Sequence, residues 1–103
     1  MATLYVAEFS QMPITDNRVP EFAMTPPLVE QTLAISATSN LSNAFNAKTI
    51  YVRVESDAVC SLAWATSGAT TVTATTSNMR LSASAPEYFG VQGGGRVAVI
   101  TNA

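Results

Sequence analysis

Apolar residues alternate with polar or small ones in short runs along most of this chain. Ile50, Val52 and Val54 form one side of such a run, and Tyr51, Arg53 and Glu55 the other. Cys60, Leu62 and Trp64 repeat the pattern against Ser61, Ala63 and Ala65. Leu33, Ile35 and Ala37, then Val97 and Val99, carry it in two further runs, and Leu4 and Val6 begin one near the N-terminus. A period of two places alternate side chains on opposite faces of a strand, which is the mark of a half-buried sheet. Turn-forming residues fall between the runs: Glu55-Ser56-Asp57-Ala58 at hairpin distance, Thr66-Ser67-Gly68-Ala69, and Gly93-Gly94-Gly95 before the last strand. Thr70 to Thr76 is β-prone but holds Val72 as its single large apolar residue, which predicts an edge or surface strand. Residues 39–48 admit at most one helical turn, around Leu41 and Phe45. Short strands at regular spacing predict an all-β chain, an antiparallel β-sandwich or jelly-roll-like barrel.

The N-terminal quarter differs. Pro13, Pro20, Pro26 and Pro27 stand in the first 27 residues, whereas every glycine lies after residue 67. Proline fixes φ, removes an amide donor and drives the preceding residue toward extended backbone. The segment also carries Phe9, Met12, Ile14, Val19, Phe22 and Met24, too apolar for a free solvated tail. The reading is an extended N-terminal arm over residues 1–27 and a β-sandwich domain over 28–103. The arm packs either on its own domain or on a neighbouring subunit. Phe9, Met12, Ile14, Phe22 and Met24 are the arm's candidate interface residues, with Tyr88 from the domain. Tyr88 and Phe89 sit beside turns, so one ring is expected to face inward and the other outward.

Composition removes most chemistries. The chain has no His, which eliminates Ser-His and Cys-His nucleophile pairs. Its one cysteine, Cys60, can form neither an internal disulfide nor a thiolate metal site, and is expected to be buried. Glu55 and Asp57 are two apart, but a solvated turn explains them better than an acid pair. Gly90 to Arg96 is glycine-rich, yet it leads into a strand instead of the helix a phosphate loop requires. The expectation is a binding protein, not an enzyme, with no cofactor and no metal. Arg18, Lys48, Arg53, Arg80 and Arg96 are scattered singly, which argues against a nucleic-acid partner. No basic export leader and no apolar run of membrane-spanning length stands out, so no membrane partner is expected.

Residues 47–100 resemble a recurring pattern in small virion proteins of tailed bacteriophages. The pattern is a strand like Thr49-Ile50-Tyr51-Val52-Arg53-Val54-Glu55-Ser56-Asp57, then a strand with Cys60 and an aromatic at Trp64. A Thr/Ala-rich stretch follows, then Arg80-Leu81, Pro86-Glu87-Tyr88-Phe89-Gly90-Val91, a Gly-rich turn and Arg96-Val97-Ala98-Val99-Ile100. The similarity covers about half of the chain, and it departs at Ala65-Thr66-Ser67-Gly68, where the aromatic strand usually runs directly into Gly. The resemblance implies a structural β-sandwich protein, most like a capsid decoration (cement) protein. Its implied partners are the major capsid protein and copies of itself, as a homotrimer or other symmetric oligomer. Its implied place is the capsid surface of the virion, after synthesis in the host cytoplasm. Two alternatives stand beside it: a tail or head–tail junction component, and a small carbohydrate-binding domain using Tyr51, Tyr88 or Trp64.

Overall fold

A computed structural model describes residues 2–10 and 27–102. It is all-β, with no helix among the described residues. The strands are β1 (Ala2–Phe9), β2 (Val29–Ile35), β3 (Asn40–Leu41), β4 (Tyr51–Ser56), β5 (Cys60–Ala65), β6 (Met79–Leu81), β7 (Glu87–Gly90) and β8 (Arg96–Thr101). They form two four-stranded sheets of order β2-β1-β4-β7 and β3-β8-β5-β6. Every pairing is antiparallel. The sheets do not close into a barrel, so the sandwich alternative holds.

The alternation seen in the sequence becomes the core. Leu4 and Val6 of β1, Leu33 and Ile35 of β2, and Val52 and Val54 of β4 face inward from the first sheet. Cys60 and Leu62 of β5, Leu81 of β6, and Val97 and Val99 of β8 meet them from the second. Trp64 and Phe89 pack at the margin of this cluster. Ala37 and Ile50 lie beyond the strand ends and are exposed, so those two alternating runs are shorter than the sequence suggests.

Four sequence expectations change. First, Ala2–Phe9 belongs to the sandwich and not to an arm: β1 is an interior strand between β2 and β4. Its inward Leu4 and Val6 are almost wholly buried, which anchors it there. β1 and β2 are therefore neighbours in one sheet, and the Leu28 amide donates to the Glu8 carbonyl at 2.7 Å at the end of their ladder. Second, Glu55-Ser56-Asp57-Ala58 is not a hairpin turn. β4 pairs in the first sheet and β5 in the second, so the chain crosses between layers there. Both strands carry full apolar faces, and facing layers let those faces bury each other.

Third, Thr70 to Thr76 is not a strand; it crosses the outer face of the second sheet. Ala74 is buried against Ala63 and Ala98, flanked by Val72 and Ile100. The Ala74 amide donates to Ser39 Oγ at 2.8 Å. Small side chains on β5 and β8 allow this close approach. Fourth, residues 39–48 hold the two-residue β3 and no helical turn, and Phe45 plugs one end of the sandwich at 3% exposure.

The Gly-rich segment does form the turn before the last strand, and it is also packed. Gly94 has φ +82°, a conformation that suits glycine. A Cβ on Gly93 would collide with the Ala47 carbonyl oxygen, a backbone atom. Gly93→Ala is therefore expected to cost about 1–3 kcal/mol, the range for overpacking. Urea denaturation checks this, and a loss within about 0.5 kcal/mol, typical of an open surface site, would contradict it.

Candidate interaction surface

The outer face of the first sheet gathers aromatic side chains from three adjacent strands. Phe9 of β1 lies opposite Tyr51 of β4, and Arg53 opposite Tyr88 of β7. The Phe9 and Tyr51 rings stack at 4.9 Å with planes 13° apart. Tyr88 meets Tyr51 at 6.1 Å in a tilted arrangement. Such pairs add about 0.5–1.5 kcal/mol beyond their area burial. Tyr88 remains 49% exposed, and Tyr5, further along β1, 48%. Phe9 is only 4% exposed, so it acts as a structural ring on its own sheet and not as an available contact. Phe89 packs inward and Tyr88 faces out, as alternation along β7 requires.

Of the six candidate interface residues, Phe9 and Tyr88 are thus placed on one sheet. Met12, Ile14, Phe22 and Met24 lie outside the described residues. Glu55 faces Arg53 at 3.5 Å on the same outer face, with both side chains more than a third exposed. An exposed pair of this kind contributes little stability.

A groove of about 430 Å³ runs past the end of β7, lined by Ile50, Trp64, Ala65, Thr66, Gly90, Val91 and Gln92. Ile50 is 46% exposed. Trp64 is not a free stacking platform: its ring lies 5.1 Å from Phe89 and 6.5 Å from Phe45, tilted against both. That arrangement ties it to the core.

Glu8 was not singled out by the sequence, although it falls in phase with Leu4 and Val6. It lies on the inward face of β1 and is wholly buried. Thr49 Oγ1 and the Asn46 amide donate to Oε1, each at 2.8 Å, and Gln31 Nε2 donates to Oε2 at 2.7 Å. Gln31 Oε1 in turn accepts from the Asn43 amide at 3.0 Å. Burying a carboxyl group is costly unless its acceptors are filled, and here donors come from a strand and from the loop before β4. The phase of the alternation was the available signal; the donors are distant in sequence and were not visible.

Cys60 is buried, and burial pushes its thiol above the usual range, against a hydrogen bond with Ser56 that works the other way. Such a thiol is a packing group and a poor nucleophile. Among the described residues, no group of three or more His, Cys, Asp and Glu is placed to hold a metal ion. No helix of the described residues is long and apolar enough to cross a membrane. No family model, curated protein or solved structure matches this chain.

Three outcomes follow from these environments. Glu8→Ala strands donors in the interior and is expected to cost about 3 kcal/mol or more in urea denaturation. Glu8→Gln points one amide group at another across the Gln31 contact, and the double change with Gln31→Glu restores the donor–acceptor sense. A double-mutant cycle should therefore show the pair recovering part of the single-variant loss. Cys60 should resist alkylation in the native protein at neutral pH and react once denaturant unfolds it, as mass spectrometry would show.

Proposed function

We propose that this chain is a structural protein of a tailed-phage virion that binds and stabilises the capsid surface as a decoration protein. The observation that carries the reading is the pairing of β1 with β2, which brings together the two ends of the apolar stretch that joins them. Phe9 and Leu28 bound that stretch, with the Leu28 amide donating to the Glu8 carbonyl, and the sequence between them contains Met12, Ile14, Val19, Phe22 and Met24. A sandwich that holds an apolar segment by two anchored ends is suited to binding by burial, not to chemistry. Each large apolar side chain buried on a partner contributes about 1.5–3 kcal/mol before ordering costs. Copies of the chain arranged on a capsid would gain further from avidity. The resemblance of residues 47–100 to small virion proteins supports the same reading. Its partners are then the major capsid protein and other copies of this chain.

The test uses the interior place of β1, which rules out simply deleting the N-terminus. Replacing residues 11–26 by a short Gly-Ser bridge should preserve the β-sheet circular dichroism spectrum. Occupancy on purified particles of the encoding phage should fall by about tenfold or more, the effect of losing roughly 1.4 kcal/mol per site. Full occupancy with the bridge in place would remove the segment from the binding role. Immunogold label on the tail instead of the head would favour the tail or junction reading.

A further inference from the structure

The first sheet ends in a strand whose outer edge is unpaired among the described residues. β7 pairs only with β4. The Val91 amide donates to the Ile50 carbonyl at 3.0 Å, which sets the phase of the ladder. Ile50 with Val91 and Val52 with Phe89 are therefore the hydrogen-bonded pairs. The N–H and C=O groups of Tyr88 and Gly90 consequently point away from β4, toward the open edge. Such an edge is a template for another strand.

We propose that two copies of this chain join β7 to β7 in antiparallel register about a two-fold axis at Phe89, continuing the first sheet from one copy into the next. The register follows from the residues. With Phe89 opposite Phe89 of the second copy, each Tyr88 faces the other copy's Gly90, and both such pairs exchange N–H···O=C bonds. Tyr88 and Gly90 share the outer face. A Cβ on Gly90 would meet nothing within 4 Å, so there is room for a ring above it. Tyr88 is 49% exposed and supplies that ring. An aromatic residue laid across a glycine on a neighbouring strand is a known stabiliser of antiparallel sheets.

On the inner face, the two Phe89 rings extend the marginal packing that Trp64 and Phe89 already make at 5.1 Å. β6 is likewise an edge strand, of the second sheet, and it leaves Met79 48% exposed. In this register Glu87 faces Val91 of the other copy, so no like charges are opposed. Pro86 limits the pairing to this short stretch. An isologous contact closes on itself and gives a dimer, not a fibre.

Sedimentation velocity on the full chain tests it, across about 1–500 µM, the range in which a small edge interface dissociates. The native sequence should pass from monomer to dimer. Gly90→Pro removes an outward N–H that the monomer does not use, and Tyr88→Glu removes the ring. Each should weaken association about tenfold or more while circular dichroism keeps the β signature. Adding Gly90→Lys to Tyr88→Glu sets opposite charges across the proposed register and should recover the dimer. A monomer throughout, a trimer in place of the dimer, or a dimer indifferent to both single changes would overturn the proposal.

Discussion

The buried Glu8 side chain is the junction on which the architecture turns. It sits on an interior strand, facing the core, where a carboxyl group would be strongly destabilising without partners. Its partners are Gln31 on β2 and the Asn46 amide and Thr49 hydroxyl before β4. Filling its acceptors therefore fixes the path of the 42–49 loop. That loop carries Phe45 into the end of the sandwich. The Phe45 amide donates to the Gly95 carbonyl, and its own carbonyl accepts from Gly94. Gly93 lies against the Ala47 carbonyl. One buried polar group on the first sheet thus sets the turn that launches β8 in the second.

The two outer faces are treated differently. On the second sheet, Ala63 and Ala98 leave room for the 70–76 segment, which covers them through Ala74. On the first, Tyr5 and Tyr88 stay exposed while Phe9 and Tyr51 stack. The first sheet accordingly presents aromatic side chains outward and ends in the open edge of β7, whereas the second is covered. A chain with no histidine and few charges is suited to this division of labour, because burial and strand pairing need neither.

Much of the fold was legible. Leu4, Val6, Val52, Val54, Cys60, Leu62, Val97 and Val99 all occupy the core that their alternation indicates. That one ring of the Tyr88-Phe89 pair faces in and the other out was readable from their position beside turns, and the structure decides that Phe89 is the inward one. The corner at Ser56–Asp57 was not readable, because a hairpin and a crossover between layers need the same short polar break. Thr70 to Thr76 misled because threonine suits strands, whereas here the segment is held by Ala74 packing and the Ser39 hydroxyl. Placing Phe9 in an arm followed the prolines, whose influence begins only after the strand has ended.

What the sequence alone determined is the class of fold and the residues of its core, since a period of two allows only one buried face per strand. What the tertiary structure decided is which strands neighbour one another and which groups meet. β1 is an interior strand because both its edges find partners far along the chain. Glu8 is tolerated in the core because donors more than twenty residues away converge on it. Tyr88 and Gly90 become an open edge because no described strand lies beyond β7. These are long-range pairings, and no local pattern of side chains encodes them.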